Sequence, residues 1–438
     1  MKSSTMRNTI PLSQTTKFVV DNRGKTAPTA STGIALIATN CVSNENLYPS
    51  YDKLRFVSQE TYDKWFRAHP LPGDILLTNK GSQNGAVCLV PDPVDFVIAQ
   101  DMVALRADEE VVDPLFLFAA LRSPGVQAQI KNLDVSGIIP HFKKTDFDKL
   151  FLPYPSRQLQ QTIGYMYFTL SDKIELNRRM NRTLEAIARS IFKSWFIDFD
   201  PVHAKAEGRD PVGMAPETAA LFPYSFQDSP LGMIPKGWEA VRLAELLALS
   251  RESIKPQEYP TEEFDHYSIP AYDAGGPASE IGAGIRSSKY LVSSTSVLIS
   301  KLNPRIPRVW LPSVSEKRRS VCSTEFLVCT QQKGIPREYV YSLLSSSAFL
   351  DDFTQMVTGT TGSHQRVRPT AFTAMHAVRP SPELLVAFTH IAKPLFARCA
   401  SAAEESRDLV RTRDTLLPRL LVGEILERPT EQQRSCDE

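Results

Sequence analysis

The sequence predicts an α/β (α+β) chain built twice over: two similar mixed α/β domains separated by two long antiparallel helices that pair as a coiled coil. Three observations predict it. The chain repeats itself once, with a period of about 225 residues. Each half ends in a long stretch whose apolar residues recur at seven-residue steps. A proline-rich joint stands between the halves.

The repeat is read first in the β-rich parts. Asp74-Ile75-Leu76-Leu77 resembles Ser296-Val297-Leu298-Ile299, and residues 99–105 resemble 322–328. Residues 114–121 and 337–344 both predict short helices. Gly137 faces Gly362, Phe147 faces Phe372 and Pro155 faces Pro380, all at one spacing.

The helical parts carry the repeat further. Ile163, Leu170, Asn177, Leu184 and Ile191 form one seven-residue row, and Leu159, Met166, Lys173, Met180 and Ile187 form an interleaved one. Shifting the first row by one repeat lands on Phe388, Leu395, Ala402, Leu409 and Leu416. Such seams let one helix lie along another. The alternative is that each helix buries its stripe against its own domain. Arg178, Arg179, Arg182, Glu185 and Arg189 leave few apolar residues off the stripe. Each stretch runs for about 40 residues, or roughly 60 Å of unbroken helix. Lys173 and Asn177 interrupt the first seam; Arg398, Glu405 and Thr412 weaken the second. Pro394 should kink the second helix, and Pro418 should end or bend it.

The joint between the halves holds Pro201, Pro211, Pro216, Pro223, Pro230 and Pro235. The expected order is a first domain over 1–152, a helix over 153–200, a linker over 201–230, a second domain over 231–382, a helix over 383–425 and a frayed polar tail over 426–438. Two like surfaces held apart by helices suit a target with two separated half-sites, as on DNA, roughly one duplex turn apart.

The bulk composition is that of an ordinary soluble protein. The chain has 438 residues, enough for two or three domains, and 42% hydrophobic against 23% charged residues. A net charge of +1 excludes a histone-like basic protein but not a DNA reader, which needs only local positive patches. Cys41, Cys88, Cys322, Cys329, Cys399 and Cys436 form no C-x-x-C and no zinc-finger spacing. Scattered thiols and an N-terminus without an apolar core predict a cytoplasmic protein that is not membrane-bound.

Five segments resemble one family, the specificity subunits of prokaryotic Type I restriction–modification enzymes. They are LPYPSRQLQQTI at 152–163, LNRRMNRTLEAIARSIFKSWFIDFDPVHAKAEG at 176–208, LGMIPKGWEAVRL at 231–243, KLNPRIPRVW at 301–310 with STEFLV at 323–328, and RDTLLPRLLVGEI at 413–425. Their order matches too. The resemblance implies two target-recognition domains on a coiled-coil spacer, reading a bipartite, asymmetric DNA target. It implies as partners double-stranded DNA, two adenine methyltransferase subunits and ATP-driven restriction subunits. It implies no catalysis and no cofactor in this chain, the partners using S-adenosylmethionine, ATP and Mg.

Base edges are read by Arg, Lys, Asn and Gln, and phosphates by cations and backbone N–H groups. In the second domain Lys301, Asn303, Arg305 and Arg308 form a dense group stiffened by Pro304 and Pro307. His364, Gln365, Arg366 and Arg368 follow Gly359 and Gly362, and Lys317, Arg318 and Arg319 add a third basic spot. In the first domain Lys80, Gln83 and Asn84 follow the 75–77 strand, and His141, Lys143 and Lys144 follow Gly137. Each is a candidate DNA contact, with a solvated loop as the alternative. Trp195 and Phe196 either pack in a core or help dock a methyltransferase subunit.

Catalytic motifs are missing. There is no methyl-donor glycine loop with an Asn/Asp-Pro-Pro-aromatic motif, no G-x-x-x-x-G-K-[ST], no H-E-x-x-H and no G-x-S-x-G. A coiled-coil scaffold without DNA reading is the alternative that the heptads alone permit.

Overall fold

The computed structural model describes residues 8–22, 25–52, 54–133, 141–358 and 365–422. The chain divides into two compact units. The first is Met1–Arg178 with Glu404–Glu438, and the second is Arg179–Ala403.

In the first unit, apolar runs with no polar face become strands buried on both sides. Ile75–Thr78 is buried throughout and lies between Met102–Ala107 and Val87–Leu89. Thr16–Asp21 completes a four-stranded sheet. A second sheet sets Ile34–Ile37 between Arg55–Val57 and Phe96–Ile98, the latter pair parallel. Helices Pro114–Arg122 and Pro124–Asn132 cover the first sheet, each opened by a capping side chain, Asp113 and Ser123, followed by proline. Thr9–Pro11 pairs with Phe151–Pro153, so the unit's first strand lies beside the root of the first long helix.

The second unit repeats this order. Its four-stranded sheet runs Leu247–Ser250, Phe326–Gln331, Ser296–Ser300, Val309–Trp310. Its other sheet pairs Glu263–Tyr267 in parallel with Arg319–Cys322. Helices Arg337–Leu344 and Ser347–Gln355 follow, and Glu239–Arg242 pairs with His376–Arg379. The likeness reaches single hydrogen bonds. Between the two short helices, Ser123 Oγ donates to the Ala120 carbonyl at 2.6 Å, and Ser346 Oγ to that of Leu343 at 2.8 Å. The sequence segments aligned at 74–77 and 296–299 are thus the same inner strand of each four-stranded sheet.

The two long helices are Arg157–Phe196 and Pro382–Leu421, 40 residues each. Each unit takes one half of each helix, and within each unit the halves run antiparallel. In the first, Ser171 meets Arg413 and Asn177 meets Glu405. In the second, Asn181 meets Cys399 and Phe192 meets Phe388. One expected row is corrected. Met166 and Ile187 are exposed, and the buried row lies one residue on, at Gln160, Tyr167, Ile174, Ala188 and Trp195. Gln160 disguised it: a polar side chain that accepts from Asp113 N at 3.0 Å and donates to Pro155 O at 3.0 Å belongs inside.

The residues that interrupt the two seams meet one another. Asn177, 1% exposed, donates to Glu405 at 2.9 Å and to Ser406 at 3.3 Å. Lys173 reaches the same Glu405 carboxylate at 3.5 Å. A polar pair inside a seam fixes register where apolar contacts would tolerate slippage. The second helix passes through Pro394, where Pro394 and His390 are both exposed, so the carbonyl deprived of its amide partner belongs to a solvated turn. It ends at Leu421, shortly after Pro418.

The proline-rich joint is folded into the second unit. Helices Asp200–Ala206 and Pro216–Ala220 and a hairpin of Phe226–Ser229 with Gly232–Pro235 fill it. Lys205 ties them, donating to Ala219 O at 2.8 Å and to Phe222 O. The tail expected over 426–438 lies outside the described residues.

The five cysteines in the described residues are all buried and free. Burial pushes the Cys88 and Cys322 thiols up to about 12, and raises Cys329 as well. Iodoacetamide at pH 8 is therefore expected to leave these three unmodified until denaturant is added, as read by mass spectrometry. Labelling of any of them in the folded protein would contradict their placement.

Candidate nucleic-acid interface

The inner strand of each four-stranded sheet runs into a closed loop. After Ile75–Thr78, the loop is shut at its neck by Gly85 N to Thr78 O at 2.8 Å, and turned by Asn84 N to Gly81 O at 3.0 Å. Gly81 has φ 92, a conformation open to glycine without strain. After Ser296–Ser300, the loop is shut by Ser300 N to Arg308 O at 2.9 Å, and turned by Ile306 N to Asn303 O at 2.9 Å. Asn303 has φ 49, in the left-handed region that asparagine tolerates.

In both units this loop is joined to the segment following the expected glycine loop. Lys80 bridges to His141, and Phe142 N donates to Asn79 O at 3.1 Å. Leu302 bridges to Arg366, Asn303 N donates to Gln365 O at 2.9 Å, and Val367 N to Lys301 O at 3.0 Å. Segments far apart in sequence thus converge at equivalent places. In the first unit this gathers Lys80, Gln83, Asn84 and His141, with Lys143 and Lys144 next along the chain and exposed. In the second it gathers Lys301, Asn303, Arg305, Gln365 and Arg366, with Arg368 exposed beside them. His364, Gly137, Gly359 and Gly362 lie outside the described residues.

The candidates differ in what holds them. Arg305 is exposed at the loop tip beside exposed Ile306. Arg308 is turned inward, 9% exposed, and bonds Asp273 through two nitrogens at 2.8 Å each. This pairing braces the loop from within. Lys80 stands 3.7 Å from Asp101 with its side chain half exposed. The third basic spot is largely neutralised: Arg318 meets Glu263 and Asp265 at 3.3 Å each, and Arg319 binds Glu262 while lying over the Tyr259 ring.

Arg366 binds Glu325 through two nitrogens, at 3.0 and 2.9 Å, and holds that carboxyl below its usual range. A depressed folded pKa means the stabilisation is complete above the unfolded value of about 4.3 and is lost as pH falls through the folded one. Thermal melts of wild type and Glu325→Gln are expected to differ at pH 7 and to converge as pH falls through the depressed folded-state value. A gap that persists unchanged to pH 3 would contradict this.

Trp195 and Phe196 do not form a docking surface. They are 6% and 2% exposed, inside an aromatic cluster with Phe192, Phe222, Trp238 and Phe388. The end of the first helix is an anchor in the second unit's core. The acidic partners Asp101, Asp273 and Glu325 are not marked by any sequence motif as partners, although Glu325 lies within the STEFLV segment. Among the described residues, no group of His, Cys, Asp or Glu could hold a metal ion, and no helix is long and apolar enough to cross a membrane.

A duplicated α/β unit, each copy bearing one loop cluster and one half of each long helix, defines the class. Comparison with known proteins agrees. A family model described as the Type I restriction modification DNA specificity domain matches residues 36–186. The chain is 27% identical over 404 residues to the Type I restriction enzyme HindI specificity subunit of Haemophilus influenzae, covering 81% of this chain and 86% of that one. It is 24% identical over 365 residues to the MjaIX specificity subunit of Methanocaldococcus jannaschii, covering 81% and 78%. The crystal structure of a Type-I restriction-modification system S subunit from M. genitalium shares the fold, with a TM-score of 0.55 at 15% identity over 96% of this chain and 98% of that one. Residues 36–186 thus match the Type I restriction modification DNA specificity domain, and the chain is similar to Type I specificity subunits over most of its length.

Proposed function

We propose that this chain reads a bipartite, asymmetric DNA sequence and thereby directs the methylation and cleavage carried out by partner subunits. The twin convergence of loops carries the reading: Lys80 with His141 in one unit, Leu302 with Arg366 in the other. Each unit offers one small group of amides and cations on a closed, backbone-paired support. Such a support lowers the ordering cost of binding and lets side chains meet base edges in a fixed pose. The units differ in side chains at equivalent places, which is what an asymmetric target requires.

The chain itself does no chemistry in this reading. Two adenine methyltransferase subunits would use S-adenosylmethionine, and restriction subunits would use ATP and Mg. The scaffold alternative leaves the paired polar loops without a purpose.

Selection from a random duplex library by the assembled methyltransferase complex tests the proposal. The expected product is one split motif with two unlike halves and a fixed gap. Enrichment of a single unsplit motif, or of none, would overturn it.

A further inference from the structure

The loop from Val42 to Pro49 links two parts of the first unit. Its neck is shut by Ser50 N to Cys41 O at 2.7 Å, and Leu47 fills the core beneath it. Just before the neck stands Thr39, whose hydroxyl is the nearest atom, at 4.0 Å, to a Cβ built on Gly81 of the reading loop. The loop is also tied to the strand leaving that reading loop: Val87 N donates to Asn44 Oδ1 at 2.8 Å, and Leu89 N to Leu47 O at 2.8 Å.

Two arginines grip the far side. Arg122, 8% exposed and stacked on Phe118 at 4.4 Å, donates to the carbonyls of Val87 at 2.9 Å, Ser43 at 3.3 Å and Asn46. Arg178, on the first long helix, donates to Glu45 O at 2.9 Å and to Asn46 Oδ1 at 2.9 Å. The neighbouring Asn177 faces the second helix through Glu405, so adjacent residues join the helix pair to the loop. One repeat on from Arg178 stands Ala403, which cannot donate.

We propose that Arg178 is a positioning residue that fixes the first unit's reading loop against the long helix and so sets the gap tolerated between half-sites. This rests on the function proposed above. In this role Arg178 acts through the loop rather than on a base. Its guanidinium holds a strap tied through Asn44 and Leu47 to the strand that leaves the reading loop, so its loss loosens the loop's seat without altering its side chains.

The test uses the assembled methyltransferase complex and duplexes carrying the selected target with its own gap, or one base pair more or less. Arg178→Ala is expected to lose about ten-fold of the preference for the correct gap, with half-site base preferences unchanged. Arg178→Lys, which keeps a donor, should retain most of it. Asn46→Ala removes one acceptor and should act in the same direction without adding to Arg178→Ala; it carries the test if Arg178→Ala fails to fold. An unchanged gap preference overturns the inference, as does a loss of affinity equal for all gaps, which is what mere destabilisation gives. A wild-type complex that selects no split motif overturns the functional reading instead, and this inference with it.

Discussion

Phe196→Ala is expected to destabilise the second unit by about 3–5 kcal/mol, the cost of removing a large aromatic from a closed core. Its ring lies 5.2–5.9 Å from those of Phe192, Trp238, Tyr339 and Phe388. At 2% exposure it has no route by which a cavity could fill with water cheaply. For a unit of this size the melting midpoint should fall by roughly 10 °C or more, read by calorimetry. A docking residue would behave differently. It would leave the midpoint alone and weaken subunit association, and that result would return Phe196 to the surface.

Arg305→Ala and Arg308→Ala should separate, although the two residues are neighbours in one loop. Arg305 is exposed at the tip, and its loss is expected to cost about 1–3 kcal/mol of specific binding, roughly 5- to 150-fold. If it reads a base, one position of the motif relaxes. If it meets phosphate, affinity falls evenly and the salt dependence becomes shallower by about one ion. Arg308→Ala removes a partner of Asp273, which is half exposed and can turn to water. Its effect should be mainly on stability, roughly 1 kcal/mol, with a smaller and indirect loss of binding. Competition binding at fixed salt, with melts of both variants, checks the pair. Equal binding losses at unchanged stability would place Arg308 on the DNA after all.

Much of the architecture was legible in the sequence because it is written twice. Apolar runs such as Ile75–Leu77 and Val297–Ile299 name their own strands, and each is followed at a like distance by the same partner strand and short helix. The helix seam was half legible. Ile163 and Asn177 are buried as expected, but Met166 and Ile187 face outward while Gln160 is buried in their place. Apolarity is a poor guide in a two-helix pair, where the helices also touch their own domains and a hydrogen-bonded glutamine or asparagine can sit inside.

The candidate interface was legible in residue type but not in state. The loops were found because base-reading residues cluster beside turn-forming ones. What decides their roles is which carboxylate stands nearby: Asp273 ends the short helix Ile269–Asp273, while Asp101 and Glu325 lie in the turns just before the strands Met102–Ala107 and Phe326–Gln331. The meeting of Lys173 and Asn177 with Glu405 was hidden for the same reason. Each interrupts its own seam, and only the antiparallel pairing makes them complementary.

We propose that this chain, and not its partners, chooses the DNA sequence. The most direct test is single-molecule sequencing of a methylation-free host expressing the neighbouring methyltransferase with and without this chain. Adenine methylation is expected at one split, asymmetric motif only when the chain is present. Methylation that is the same with and without the soluble chain would contradict it and leave the paired helices as a scaffold.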